Sequence, residues 1–287
     1  MITNSTFKAL VDQYKKETPD EQTKIREVLQ QIALLGLERH GFFERSAFYG
    51  GTALRILFGL DRFSEDMDFT LLKPDANFQF TPYLEGMCQE LRSFGLEVEL
   101  SQKAKPIETA ISSAFLKTNT LKLYLSLGEE GKARQVNHNA KIHIKLEVDT
   151  DPPLHFRVEN RLLVQPVSFH VLTLHPSDLF AGKMHAVLYR AWQKRVKGRD
   201  WYDLIWYIQN KIPLSLAHLN ERVRHTDPSL TAPLNRETLL QKLNDKISQI
   251  DWTHAKEDVK PFILDLKVLD IWSANFFSQL LGYLITE

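Results

Sequence analysis

Two glycines and two aspartates, eighteen residues apart at their outer limits, constrain this chain more than any other feature. The segment from Phe48 to Leu71 reads FYGGTALRILFGLDRFSEDMDFTL. Gly50 and Gly51 open a turn where backbone can approach a ligand closely, and the helix after them offers unpaired N–H groups to an anion. Asp66 and Asp68 are two residues apart, so on a strand both carboxylates point to one face while Met67 and Phe69 point to the core. Two such carboxylates repel unless a cation sits between them, and a hard cation such as Mg²⁺ prefers oxygen ligands. Together the two halves point to phosphoryl chemistry with metal. A two-metal site of this kind activates an attacking hydroxyl and stabilises a leaving pyrophosphate.

A second constellation is the run from Lys141 to Asp149, in which Ile142, Ile144, Leu146 and Val148 alternate with His143, Lys145, Glu147 and Asp149. This is a period-two strand with one face buried and one face ionic. A third lies between Ser177 and Leu204. Lys183 and Arg190, seven residues apart, fall on one helical face, and Asp200 and Asp203 share a face beside Trp201, Leu204, Ile205 and Ile208. Between Leu179 and Arg199 there are six Lys or Arg residues and no acid. Lys194, Arg195, Lys197 and Arg199 bunch beside Trp192, a basic and aromatic patch suited to single-stranded RNA or an acceptor stem.

These three segments resemble the AbiEii/AbiGii toxin family of nucleotidyltransferases, relatives of the DNA polymerase β-type superfamily. The resemblance rests on Gly50-Gly51-Thr52-Ala53-Leu54-Arg55, on Arg62-Phe63-Ser64-Glu65-Asp66-Met67-Asp68-Phe69, and on residues 141–149 and 177–204. It is weak or absent from about residue 210 onward. It implies that Asp66, Asp68 and Glu147 hold the metal ions, with Asp149 as the alternative third carboxylate. By the same resemblance Gly50, Gly51, Thr52, Arg55, Arg62, Ser64 and Lys145 meet the nucleotide, with Lys183 and Arg190 at the triphosphate. Lys183 and Asp200 join the catalytic set, and Asp203 either orients a neighbour or serves as an ordinary acid near a helix N-terminus. The implied activity is transfer of a nucleoside monophosphate from an NTP to an acceptor hydroxyl, with the tRNA 3′ end as acceptor and a cognate antitoxin as partner. Transfer to a protein or small molecule, and nucleotide binding without turnover, remain open alternatives.

The expected fold is α+β: a polymerase β-like core with a mixed sheet over residues 1–175, then a helical half over 176–287. Helices are predicted at 5–15, 20–39, from Gly50 to about Phe58, 81–94, 177–194, 199–209, 215–225, 236–248 and 255–283, the last broken near Lys267. Strands are predicted near Phe48 and at 66–72, 96–100, 121–127, 141–149 and 167–172. With 36 basic and 36 acidic side chains the chain has no global polyanion-binding signature, so any nucleic-acid contact needs a local patch. The one cysteine, Cys88, excludes an internal disulfide and fits a reducing cytoplasm. No apolar run reads as a signal peptide or a membrane span. The histidines show no zinc spacing, and P-loop, G-x-S-x-G and dinucleotide signatures are absent.

Overall fold

A computed structural model of the chain describes residues 5–14, 17–102, 111–119, 141–190, 196–229 and 232–287. It is mixed α+β, with seven strands in one sheet of order β3-β4-β5-β2-β1-β7-β6. The chain divides into two compact units. The first comprises Met1–Gly59, Ser64–Pro152 and Asn160–Thr173, and the second Leu60–Phe63, Pro153–Glu159 and Leu174–Glu287.

In the first unit, α1 (Ser5–Gln13) and α2 (Glu21–Arg39) precede β1 (Ser46–Tyr49). Asp20 caps α2 by accepting from Thr23 N at 2.7 Å, which satisfies one of the donors that a helix start leaves over. α3 (Gly50–Leu57) leads to β2 (Met67–Leu71), then α4 (Thr81–Ser93) and β3 (Glu99–Gln102). α4 ends as its glycine suggests: Gly95, at φ +78°, donates to Arg92 O, and Leu96 N reaches back to Leu91 O. β4 (Ile111–Asn119) and β5 (Lys141–Asp149) pair antiparallel along their whole length, and β5 pairs parallel with β2. β1 joins β2 antiparallel and β7 (Phe169–Leu174) parallel. β6 (Val158–Leu163) forms the edge.

The alternation in β5 does what its period requires. Ile142, Ile144, Leu146 and Val148 are buried, and they meet Phe69, Leu29, Ile32, Leu84 and Met87 in one core. Phe42 anchors that core, edge-on to Phe69 at 5.0 Å and stacked on Phe80 at 5.4 Å. The opposite sheet face, carrying positions 141, 143, 145, 147 and 149, stays half-buried to exposed. Cys88 is buried in the same core, where burial pushes its thiol pKa up, so it is a packing residue.

The second unit holds α5 (Pro176–Tyr189), α6 (Gly198–Gln209), α7 (Leu216–Thr226), α8 (Arg236–Gln249), α9 (Trp252–Val259) and α10 (Ala274–Leu280). Trp201 sits at its centre, edge-on to Trp252 and Phe277, both at 5.2 Å. Phe180 of α5 stacks on Tyr207 of α6 at 4.3 Å.

Three expectations change. The helical stretch expected over 255–283, broken near Lys267, is α9 and α10 with 3₁₀ turns at Lys260–Phe262 and Leu266–Leu269 between them. Pro261 cannot supply a helical N–H, and Asp265 and Ser273 start new turns by accepting from Lys267 N and Phe276 N. β4 and β6 were not anticipated. The strand predicted at 121–127 lies outside the described residues, as do Trp192, Lys194 and Arg195 of the basic patch.

Candidate active site

The sheet register brings the first set of predicted residues together. Asp68 of β2 is the partner of Tyr49 on β1 and of Glu147 on β5. Aligned residues of neighbouring strands share a face, so the Asp68 and Glu147 carboxylates stand side by side on the open face. Tyr49 runs directly into Gly50, where α3 begins without a side-chain cap. Gly50 has φ +82°, and a β-carbon there would lie 2.6 Å from Asp68 Oδ2. Only glycine satisfies both demands. The predicted turn and the predicted carboxylate are therefore in contact, although eighteen residues separate them.

Asp66 precedes the first residue of β2 and is exposed. Its carbonyl accepts from the buried Thr52 hydroxyl, so Thr52 ties the start of α3 to the aspartate strand. On the other side of the turn, Gln30 of α2 donates to the carbonyls of Ser64 and Glu65, at 3.2 and 3.1 Å. Glu147 accepts from Lys145 Nζ at 2.6 Å and from Ser113 Oγ at 3.1 Å. Ser113 was missed by the sequence reading because it lies on the unanticipated β4.

Arg55, expected at the phosphates, has a buried protein partner. It is buried against Glu27 at 2.8 Å and donates to Glu17 O, and Tyr14 OH donates to the same Glu27 carboxylate. Burial and the adjacent Glu27 together push the Tyr14 hydroxyl pKa up, so it stays a donor.

The second set of predicted residues meets inside the second unit. Arg62 grips Asp203 with two bonds, at 2.5 and 2.6 Å. Lys183 lies between Asp203 (2.7 Å) and Asp200 (2.8 Å), and Arg190 closes the chain on Asp200 at 2.7 Å. Three cations thus face two carboxylates. For Lys183 and Asp203, burial opposes the charged form, but their partners more than compensate. Burial lowers the Lys183 pKa, yet Asp200 and Asp203 hold it above its ordinary value. Burial raises that of Asp203, yet Arg62 and Lys183 hold it below. Asp203 is thus held as a carboxylate between Arg62 and Lys183. Of the basic patch, Lys197 and Arg199 are described: Arg199 packs over the Phe262 ring at 4.1 Å.

The chain matches a family over most of its length. A model of the nucleotidyl transferase AbiEii toxin, type IV toxin–antitoxin system, matches residues 32–276. The chain belongs to the AbiEii family. It is thus a nucleotidyltransferase of a toxin family, and that membership implies an NTP substrate and an antitoxin partner. Two crystal structures share the fold. One is described as a candidate nucleotidyltransferase from H. pylori, with TM-score 0.51, 19% identity and 92% of each chain covered. The other is JHP933 from Helicobacter pylori, with TM-score 0.52, 17% identity and 92% of each chain covered. No curated protein matches the chain.

Whether the site suits a divalent cation can be judged from its donors. Asp68 and Glu147 offer hard carboxylate oxygens in register, and the missing β-carbon of Gly50 lets the Asp68 carboxylate stand against the start of α3. That pair fits such an ion. Among the described residues, however, no three His, Cys, Asp or Glu side chains converge closely enough to hold one, so Asp66 is not gathered with the pair. Nor, among the described residues, is any helix long and apolar enough to cross a membrane.

Proposed function

We propose that this nucleotidyltransferase moves a nucleoside monophosphate from an NTP to the 3′ hydroxyl of a tRNA, in the cytoplasm, as the toxin of a toxin–antitoxin pair. The acceptor oxygen attacks the α-phosphorus, its proton is lost, and pyrophosphate leaves. The observation that carries the reading is the placement of Asp68, in register with Glu147 and in contact with the Gly50 turn. Residues 1–175 form the catalytic half in this reading and 176–287 the helical half.

Asp68 and Glu147 would hold Mg²⁺, which when bound would neutralise phosphate charge and lower the cost of the leaving pyrophosphate. The chain's own groups do the rest. Gly50 and Gly51 bring the uncapped first turn of α3 to the phosphates, where N–H donors favour an anion. Lys145 and Ser113 fix the Glu147 carboxylate. Lys183 is the triphosphate cation the family resemblance assigns, and Asp200 and Asp203 keep it charged and oriented.

Incubation with each α-labelled NTP, Mg²⁺ and total tRNA tests the reading. Label in tRNA supports it. Label in protein, or in no macromolecule, transfers the proposal to another acceptor or to binding without turnover.

A further inference from the structure

The open face of β4 and β5 continues well past the carboxylates. β2 is in register only with Leu146 to Asp149 of β5, whereas β4 accompanies β5 from Lys141 to Asp149. Moving away from Glu147, the cross-strand pairs on the open face are Ser113 with Glu147, Phe115 with Lys145, and Lys117 with His143, with Lys141 last. From Glu147 to Lys141 is six residues, about 20 Å at roughly 3.3 Å per residue. That is the length of roughly six stacked nucleotides at about 3.4 Å each.

The chemistry along this ledge is graded. Its near end is the carboxylate pair, and its far end carries Lys117, His143 and Lys141, with Glu99 of β3 opposite Lys117. Phe115, half-buried, lies between them. Lys117 has no ion-pair partner among the described residues, while Lys141 meets the exposed Glu99 at 2.7 Å. Partial burial, then Lys117, Lys141 and Arg26, hold the His143 imidazole below its ordinary pKa, so these cations act together on one spot. Lys117 and Lys141 also line a concavity of about 380 Å³ with Arg92, Leu96, Glu97 and Glu99.

We propose that this ledge is the track for a single-stranded nucleic acid, with phosphates on Lys117 and Lys141 and a base against Phe115, leading one end of the strand to Asp68 and Glu147. The occupant follows from charge complementarity on a chain with no net charge, and from an aromatic ring interleaved with the cations. The strand's direction toward the carboxylates rests on the nucleotidyl transfer reading; the binding itself does not.

The test is fluorescence anisotropy of the full chain with a short labelled single-stranded RNA, across a salt series, for wild type and Lys117→Ala/Lys141→Ala. The double variant is expected to lose about tenfold in affinity, and its salt slope to fall by about 1.4, at roughly 0.7 per phosphate contact. Lys117→Arg/Lys141→Arg restores both, and NTP affinity by calorimetry stays at the wild-type value in all three proteins. Unchanged RNA affinity and slope in a folded double variant would overturn the track, as would polyglutamate competing as well as RNA. If the affinity loss appears but wild type transfers no label to RNA, the track stands and the acceptor assignment fails.

Discussion

The carboxylate of Asp68 fills the space that a β-carbon on Gly50 would occupy, with Oδ2 only 2.6 Å from that position. Glycine is required there twice over, because the residue also has φ +82°. Gly50→Ala therefore costs about 1–2 kcal/mol from the left-handed backbone alone, and it must displace Asp68 as well. The expected result is a lowered Tm and transfer activity reduced at least about a hundredfold, in keeping with a catalytic group moved by an ångström. Thermal melts and label incorporation measure the two effects. A variant with normal activity would show that the Gly50–Asp68 contact is incidental.

Asp203 is fully buried and accepts from both Arg62 and Lys183. Asp203→Ala leaves two cations without that carboxylate, and truncating one member of such a cluster costs about 3–5 kcal/mol. Urea unfolding should show this as a lower midpoint with an unchanged slope. A loss below about 1 kcal/mol, the level of a surface ion pair, would mean that water reaches the cluster.

Arg55 separates a structural from a ligand-binding role. Its guanidinium and the Glu27 carboxylate are both buried, so Arg55→Met alone strands Glu27 and should destabilise by about 3 kcal/mol. Glu27→Leu added to it removes the stranded charge and should recover much of that loss. The stable double variant is expected to bind NTP normally in calorimetry. A tenfold weaker affinity there would return Arg55 to the phosphates.

His218 is buried, its Nδ1 3.0 Å from Leu154 O, and burial and Arg222 push its pKa down to about 4. The unfolded chain takes up a proton near 6.5, and the folded one resists until about 4. Stability is thus full above pH 6.5 and falls as pH drops from 6.5 to 4, by about 3 kcal/mol from this residue. His185, also pushed down to about 4 by burial and Arg222, acts in the same direction. Chemical denaturation at several pH values should show that slope, and His218→Gln should flatten it.

How much of this was legible depends on whether the signal was local. The strand at 141–149 announced itself through strict alternation, and the Gly50 turn and Asp66-x-Asp68 through spacing. β4 was hidden: its buried positions Ala114, Leu116 and Thr118 form a weak apolar stripe beside the cleaner alternation of LKLYLSL. β6 was hidden for the opposite reason, since as an edge strand it leaves Val158 and Leu162 exposed. The partners of Arg55 and Arg62 were not legible at all. Glu27 lies 28 residues before Arg55, and Asp203 lies 141 residues after Arg62, separations that carry no periodicity. Both arginines were placed by a motif match that fixes position in the chain but not the direction of a side chain.

The most direct test of the central claim is transfer from α-labelled NTP to total tRNA by wild type and by Asp68→Asn, resolved on a denaturing gel with thermal melts of both proteins. The account predicts label in tRNA for wild type, and none above background for a variant that melts like wild type. Full labelling by Asp68→Asn would contradict it.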